Sequence, residues 1–416
     1  MESMVLKMRK MKDSGIEWIG EIPEGWRTIN PKALFTQRKD KAQKGERQLT
    51  SSQQYGILYQ DDYMELTGSK VVTVEKDFDI LKHVEAGDFV ISMRSFQGGL
   101  EYSTKSGAIS SAYVMLVPNL ELVYPRFYRW LLKSSVYIDA LQRTTNMVRD
   151  GQAMRYSNFA QVRLFTLPLD EQKTRADFLD LECSSIDKIL FKTRSSIEEY
   201  KKLKQAVITQ AVTTLNCPNV KLKYLMDIIV DCPHETPIYT FTGNYLVIRT
   251  SDQSLASLRC DEYMYRLDEA EYKKRTRRLT LDKDDIVYGR EGSWGLACLV
   301  PQSNKYCLGQ RVMQFRCNIR LLYPKYAMYA LNSETVYMQG ALDTIGSTAP
   351  HVNISTICNY LLPVPALNEQ KEITNYLDAK CAEIDKLIAK KEQLVKELES
   401  YKKSLIYEVV TGKREV

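Results

Sequence analysis

The chain has 416 residues, of which 44% are hydrophobic, so it is long enough for two or three domains with apolar cores and is not a disordered chain. It contains 58 Lys and Arg against 52 Asp and Glu, and the net charge of +6 only weakly indicates an anionic partner over so large a surface. The sequence has no apolar signal segment and no run of about 18 apolar residues, so we expect a cytoplasmic protein with no membrane partner.

Cysteine and histidine spacing argues against a metal centre. Nine cysteines occur without a C-x2-C or C-x4-C pair, and the histidines His83, His234 and His351 are far apart in the sequence. We therefore expect free thiols in a reducing compartment and no zinc site.

The first predicted globular unit covers residues 1–167 and mixes short strands with helices. The stretch AGDFVISMR, ending at Arg94, predicts a buried strand that leaves into a Gly-rich loop, SFQGG. The stretch YPRFYRWLLKSS, from Tyr124, predicts a helix with proline in its first turn. A polar loop, RDGQAMRYSN, and an apolar strand follow.

Residues 168–215 predict a long helix with a narrow apolar stripe. With Ile186 at heptad position a, five of the eight a and d positions are apolar, although Thr193 and Ser196 also lie in the seam. The apolar set is Ile186, Ile189, Tyr200, Leu203 and Val207. Such a stripe could pack on its own domain or pair with a second helix of the same kind.

The order of a globular unit and a long helix is then repeated, with a predicted globular unit at 216–363 and a predicted long helix at 364–416. PLDEQK at 168–173 matches ALNEQK at 366–371, and KDDIVYGR, ending at Arg290, resembles the earlier strand. The predicted seam of the second helix is Ile384, Leu387, Leu394, Leu398, Tyr401 and Leu405. Because the two stripes match, we expect the two helices to bury each other.

Motifs for independent catalysis are missing from the sequence. It contains no NPP or DPP motif of a methyltransferase, no glycine spacing of a cofactor loop and no Walker motif. Glu171-Gln172-Lys173 and Glu369-Gln370-Lys371 match the end of a metal-dependent nuclease motif. We interpret them instead as helix starts, where an early acid suits the positive end of the helix dipole.

Two unequal globular units, each followed by a near-identical long helix, resemble the specificity subunit of a type I restriction-modification system. The opening KDSGIEWIGEIPEGW, the DEQ and NEQ helix entries and the closing EVVTGK are similar to conserved regions of that family. The resemblance covers essentially the whole chain and implies an α/β fold: two mixed target recognition domains and an antiparallel coiled-coil spacer, related by an internal pseudo-twofold repeat. It also implies that the opening segment packs near the C-terminal helix.

The resemblance further implies a non-catalytic subunit that reads a split sequence in double-stranded DNA from the major groove. It implies docking of two methyltransferase subunits, through which two restriction subunits join. No cofactor is expected in this chain, whereas S-adenosylmethionine, ATP and magnesium are expected on the partner subunits.

Candidate DNA contacts come from basic stretches and from loops that follow predicted strands and helices. Charge runs are usually solvated faces, but in a DNA reader such side chains contact phosphates, and Arg or Gln on loops can read bases. The basic candidates are Lys273, Lys274, Arg275, Arg277 and Arg278, with Arg38, Lys39, Lys41, Lys44 and Arg47 as a more dilute set. The loop candidates are Arg94, Gln97, Arg149, Gln152 and Arg155 in the first unit and Arg290, Ser293, Thr348 and His351 in the second.

Two alternatives stay open at this point. One is a stand-alone DNA-modifying enzyme, a nuclease or a methyltransferase, and the other is a coiled-coil scaffold that does not bind DNA. The sequence does not specify the DNA target, the gap between its halves or the partner subunits present.

Overall fold

The computed structural model describes residues 9–74, 78–91, 100–144, 154–259, 261–292, 294–344 and 350–416. The chain forms two compact units, the first made of residues 1–192 and 394–416 and the second of residues 193–393. Each of the two long helices contributes one part to each unit.

The first unit contains twelve described strands: β1 (Met11–Ile16), β2 (Gly20–Pro23), β3 (Arg27–Ile29), β4 (Phe35–Arg38), β5 (Leu49–Ser52), β6 (Gly56–Tyr59), β7 (Lys82–Val84), β8 (Phe89–Ile91), β9 (Leu100–Tyr102), β10 (Gly107–Ile109), β11 (Val114–Pro118) and β12 (Leu164–Thr166). Its short helices are α1 (Pro31–Leu34), α2 (Gln60–Thr67), α3 (Pro125–Leu132), α4 (Ser135–Gln142) and α5 (Tyr156–Phe159). The first long helix, α6, is Leu169–Thr213.

The second unit has the strands β13 (Asn219–Lys221), β14 (Met226–Asp231), β15 (Tyr245–Ile248), β16 (Gln253–Ser254), β17 (Ser257–Leu258), β18 (Arg266–Leu267), β19 (Ile286–Gly289), β20 (Ala297–Leu299), β21 (Tyr306–Leu308), β22 (Val312–Cys317) and β23 (Leu361–Pro363). Its short helices are α7 (Glu269–Arg275), α8 (Pro324–Leu331), α9 (Glu334–Ala341) and α10 (Ile354–Cys358). The second long helix, α11, is Leu367–Val410.

Each unit is built on a four-stranded antiparallel sheet. The order is β4-β11-β8-β9 in the first unit and β14-β22-β19-β20 in the second, so the same connections are used twice. The second unit adds a three-stranded sheet, β18-β15-β21, in which β15 and β21 are parallel. The internal repeat is therefore a repeat of fold, with different additions in each copy.

The apolar run in β8 follows from burial on both faces of its sheet. Phe89 and Ile91 belong to the main core with Phe127 of α3, whereas Val90 belongs to a smaller core with Leu49 of β5. Successive strand residues point to opposite faces, so a strand covered on both sides needs apolar side chains throughout.

The opening segment lies against the end of α11, as the resemblance implies. Trp26 is fully buried and stacks on Phe165 with a ring-centroid distance of 5.0 Å. Lys413 Nζ donates to the Ile19 carbonyl at 3.2 Å. Gly412 has φ +77°, and a Cβ atom there would lie 2.5 Å from Pro23, so this close approach requires glycine.

The long helices run antiparallel within each unit. In the first unit Arg175 Nη1 donates to the Val409 carbonyl at 2.8 Å, and Lys402 Nζ lies 2.6 Å from Asp187. In the second unit Lys204 Nζ lies 2.8 Å from Asp385. In the first unit, later residues of α6 meet earlier residues of α11, which confirms the predicted α/β fold with paired long helices.

The register of the seam differs from the heptad prediction. Of the predicted seam, Ile186, Ile384 and Leu405 are buried, and Tyr200, Val207 and Leu398 are partly buried. The predicted d residues Ile189, Leu203, Leu387, Leu394 and Tyr401 are exposed instead. The buried residues between the a positions of α6 are Cys183, Leu190, Ile197 and Lys204. Alternating steps of three and four can be taken in either order from position a, and packing selects the order that the prediction did not use.

The glutamine of each helix entry anchors the helix to its own unit. Gln172 Oε1 accepts from Tyr124 N at 2.7 Å, and its Nε2 donates to the Leu122 and Leu167 carbonyls at 2.8 and 2.9 Å. Gln370 repeats this pattern with Tyr323 N at 2.7 Å and with two carbonyls. Those acceptors are Leu321 at 3.0 Å and Pro365 at 2.9 Å. The matching EQ dipeptides are thus explained by buried hydrogen bonds.

No helix in the described part of the chain is both long enough and apolar enough to span a bilayer.

Candidate nucleic-acid interface

One edge of the central sheet in the second unit gathers charged side chains from three strands. Asp231 ends β14, Arg290 follows β19 and Arg311 precedes β22. Asp231 pairs with Met313 and Gly289 with Val312, so antiparallel pairing brings these three positions together. The loop containing His351 joins the same edge through a backbone bridge to Glu291.

Arg290 is held by acids rather than left free. It is buried, its Nε and Nη2 donate to Asp231 at 3.2 and 3.3 Å, and its Nη2 lies 3.0 Å from Glu291. Its backbone N–H donates to the Arg311 carbonyl and its carbonyl accepts from Val352 N, both at 3.0 Å. Arg290 therefore fixes the geometry of this edge, and only a small part of it faces solvent.

Arg311 has the accessible guanidinium at this edge. Its side chain is 62% exposed, and its Nε lies 3.8 Å from Glu291. Its backbone has φ +69°, an uncommon conformation for a residue with a side chain. Sequence analysis did not select Arg311. Its position directly before an apolar strand was the available signal, because antiparallel pairing brings strand starts and strand ends to one edge.

The basic stretch around α7 divides into buried and exposed cations. Arg275 is buried and donates to four backbone carbonyls, among them Leu308 at 3.0 Å and Glu235 at 2.9 Å, so it holds loops together. Lys273 and Lys274 are exposed and pair with Glu269 at 2.6 Å and Glu235 at 2.7 Å. This separation depends on tertiary contacts that a run of basic letters does not reveal.

Arg277 and Arg278 are exposed, and among the described contacts neither forms an ion pair. Two adjacent cations without acidic partners are suited to phosphate contacts. His351 is also exposed, at the sheet edge itself.

The first unit presents different side chains at the equivalent edge. Arg38 is the last residue of β4, as Asp231 is the last residue of β14, and the two strands hold the same place in their sheets. Arg38 donates to Asp88 at 2.6 and 3.0 Å and to Asp40 at 2.9 Å. The side chains of both acids hold Arg38 in place, and hydrogen bonding to Asp88 raises its pKa.

The other described candidates of the first unit do not form one cluster of contacts. Lys39 and Arg155 are exposed. Arg47 stacks on the Tyr59 ring at 3.6 Å and lies 2.6 Å from Asp61. The remaining loop candidates, Arg94, Gln97, Arg149, Gln152, Ser293 and Thr348, lie outside the described residues.

Glu171 has a structural environment that differs from a nuclease site. It pairs with Arg9, lies 2.8 Å from Arg175 Nη2 and accepts from Trp26 Nε1 at 3.1 Å. Burial opposes ionisation of Glu171, but the hydrogen bonds from Arg9 and Arg175 outweigh it and lower its pKa to about 2. Its counterpart Glu369 is exposed without such partners among the described contacts. A carboxylate already occupied by two guanidinium groups is poorly suited to bind a metal ion.

Eight of the nine cysteines lie in the described part of the chain. The eight cysteines there are free thiols, as predicted. Among the same residues no group of three His, Cys, Asp or Glu side chains is arranged to hold a metal ion.

Sequence comparison places part of the chain in a known family. The family described as "type I restriction modification DNA specificity domain" matches residues 231–397. The chain is also 29% identical over 137 residues to the type I restriction enzyme EcoBI specificity subunit of Escherichia coli. That alignment covers 31% of this chain and only 27% of the relative's length.

Structural comparison covers nearly all of the chain. A chain from a type I restriction-modification system, solved in a study of its assembly and conformational transition, is 15% identical with a TM-score of 0.69, covering 94% of this chain and 99% of that one. The HsdS subunit of Thermoanaerobacter tengcongensis is 14% identical with a TM-score of 0.50, covering 94% and 98%. Residues 231–397 thus match the type I DNA specificity family, and nearly the whole chain shares its fold with the solved HsdS subunit. The family that matches residues 231–397 is described as a DNA specificity domain and not as a catalytic domain, in agreement with the prediction of a non-catalytic chain.

Proposed function

We propose that this chain is a specificity subunit, which selects the DNA target of a type I restriction-modification complex by binding a bipartite sequence, one half with each unit. The observation that carries the proposal is the repeated four-stranded sheet, present once in each unit. The equivalent strands β4 and β14 end in Arg38 and in Asp231, so the two copies offer different chemistry at this edge. Different edges suit two different half-sites in the major groove.

In the second unit, Arg311 and His351 are the proposed base-reading side chains, with Arg290 orienting the acids around them. Arg277 and Arg278 would contact phosphates, which fix position on the duplex without reading sequence. In the first unit the proposed contacts are Arg38, Lys39 and Arg155, together with Arg94, Gln97, Arg149 and Gln152. Lys273, Lys274, Ser293 and Thr348 complete the proposed surface of the second unit.

We propose that residues 1–167 and 216–363 recognise the two half-sites. Residues 168–215 and 364–416 would set the distance between these half-sites. The exposed apolar residues of the predicted seam offer a surface for partner proteins: Ile189, Leu203, Leu387, Leu394 and Tyr401. We propose that two methyltransferase subunits dock on these helices and that two restriction subunits join through them. S-adenosylmethionine, ATP and magnesium would then be bound by those partners.

The test is to co-express the chain with its methyltransferase subunit in a host that lacks this system and to map adenine methylation across the genome. We expect one new split motif with a fixed gap. A host genome without any new methylated motif would overturn the proposal and favour a scaffold that does not bind DNA.

Substitutions at the sheet edge assign one half of that motif to the second unit. Arg311→Ala and Arg290→Ala should each relax the sequence of a single half-site and leave the other half intact. Arg320→Ala is the matched control, because Arg320 is exposed just beyond the opposite end of β22. Loss of discrimination at both halves would contradict base reading at this edge.

A further inference from the structure

The loop between β14 and β15, residues 232–244, carries exposed apolar side chains at its tip. Phe241 is fully exposed (101%) and Ile238 is 70% exposed. An exposed phenylalanine is unfavourable in water, because burial of its apolar ring removes that surface from the solvent. Its exposure therefore calls for a partner that covers it.

The tip is held in place on both sides of Phe241. Thr240 N donates to the Arg266 carbonyl at 2.9 Å, and Arg266 Nη1 donates to the Gly243 carbonyl at 3.3 Å. A Cβ atom on Gly243 would lie 2.0 Å from the Leu267 carbonyl oxygen, so the backbone packs tightly there. Tyr239 stacks on Tyr265 at 4.4 Å. Phe241 thus projects from an anchored turn.

The base of the loop is continuous with the proposed DNA surface. His234 Nε2 lies 3.0 Å from Asp231, the acid that also holds Arg290. Gln310, the neighbour of Arg311, donates to Thr236 Oγ1 at 3.2 Å. Any duplex bound at Arg311 would therefore have this loop beside it.

The charges around the loop favour a polyanion over an apolar protein surface. Glu235 is paired with Lys274 at 2.7 Å, and Asp252 is paired with Arg249 at 2.8 Å. The exposed cations Arg277 and Arg278 follow α7, whose Arg275 is bonded to the carbonyls of Pro233 and Glu235. Paired acids and exposed arginines near the base of the loop are suited to contact the phosphate backbone beside the base step that the tip would reach.

We propose that Phe241 inserts between two neighbouring base pairs at or beside the half-site bound by the second unit, acting as a wedge that makes recognition depend on how easily that step unstacks. Apolar wedges of this kind unstack and kink the duplex, and pyrimidine–purine steps yield most readily. This inference rests on the proposed function, because it assumes that the second unit binds DNA.

The experiment uses the full chain and the duplex defined by methylation mapping, with 2-aminopurine replacing adenine at one position at a time. Unstacking increases 2-aminopurine fluorescence, so the wild-type chain should brighten one step. Phe241→Ala should abolish that increase and weaken binding roughly tenfold, as expected for loss of one aromatic–base contact. Phe241→Leu should retain part of both effects because leucine is still an apolar wedge.

Ile319→Ala is the control, since Ile319 is also apolar and is 72% exposed but lies beyond the opposite end of β22. It should behave as the wild type. The wedge proposal would be overturned if Phe241→Ala bound DNA with wild-type affinity, or if the wild-type chain increased 2-aminopurine fluorescence at no position. Neither result would contradict sequence discrimination by the second unit. If Phe241→Ala binds DNA normally but no longer co-purifies with the methyltransferase subunit, the tip is a protein contact and the wedge is wrong. A wild-type chain that binds the mapped and random duplexes equally would refute the proposed function itself.

Discussion

Two buried glutamines have the same role in the two units, and this predicts equivalent losses of stability. Gln370→Ala removes hydrogen bonds to Tyr323, Leu321 and Pro365, and it leaves the Pro365 carbonyl buried and the other two backbone groups partly buried without these partners. We expect the free energy of unfolding to fall by about 2–4 kcal/mol, and Gln172→Ala should lose a similar amount. Urea unfolding of the full chain measures both. Gln161→Ala, at an exposed position, should stay within about 0.5 kcal/mol of the wild type.

Glu171 predicts a specific dependence of stability on pH. Its folded pKa of about 2 lies below the usual value of 4.5, so its contribution is present above pH 4.5 and is lost as the pH falls toward 2. Glu171→Gln should lower the free energy of unfolding at pH 7 by up to about 3 kcal/mol, with a smaller difference at pH 3.5. Urea unfolding at pH 7, 5 and 3.5 tests this. The exposed Glu369→Gln should show no such trend, and equal behaviour of both variants would contradict the assignment.

The roles of residues were predictable where they depend on sequence neighbours, and unpredictable where they depend on contacts with residues far away in the sequence. The matched EQ dipeptides were visible as a repeat, but two hydrogen-bond partners of each glutamine lie about fifty residues upstream, so the structural role of the glutamines was not visible. Arg275 and Arg278 are three residues apart in one basic run, yet one is buried on backbone carbonyls and the other is exposed. Only the tertiary fold distinguishes them.

At the scale of elements, the long helices were predicted with ends close to those observed, but their seam was not. Ile189 and Leu190 are adjacent and both apolar, and the structure buries Leu190 and exposes Ile189. Sequence periodicity could not choose between them, because both positions complete an alternating three–four pattern from Ile186. The exposed set is thereby left for another partner.

The seam also contains a cation, which provides a test of helix pairing. Lys204 is buried and its Nζ lies 2.8 Å from Asp385. Asp385→Ala should destabilise the second unit by about 1–3 kcal/mol, because the ammonium loses its partner while it stays buried. Lys204→Met should be nearly neutral, and the double variant should be more stable than Asp385→Ala alone. Thermal unfolding measures the three, with Glu198→Ala at an exposed pair as the control. A double variant less stable than Asp385→Ala would contradict the explanation.

At the scale of the whole molecule, each unit has a two-stranded sheet beside a long helix, and the first unit builds its copy from the opening segment. In the second unit β23 pairs with β13, which follows α6 closely. In the first unit β12 pairs with β3, which belongs to the opening segment beside the end of α11. Of the four-stranded sheets, the matched strands predicted β8 and β19, and the other strands were not predicted. The contact between the opening segment and the end of α11 could not be predicted from spacing, because nothing in the sequence pattern connects Ile19 to Lys413. It was expected only from the resemblance.

If the lengths of α6 and α11 set the gap between the half-sites, lengthening both should change the gap and nothing else. Inserting four residues after Lys192 in α6 and four after Gln393 in α11 adds about one turn, or about 6 Å, to each helix. One extra step of four in each seam is absorbed by local unwinding. We expect the mapped motif to keep both half-sites and to gain a gap longer by about one or two base pairs, at about 3.4 Å each.

Four residues inserted after Ile319, in the loop that follows β22, should leave both the gap and the half-sites unchanged, because that loop lies outside the long helices. An unchanged gap in the helix variant would show that the helices do not measure distance on DNA. Altered half-sites would show that the insertion disturbs the recognition units. Only a longer gap between unchanged half-sites would show that the helices set the spacing on DNA. In a scaffold that does not bind DNA, helix length would have no effect on the methylated sequence.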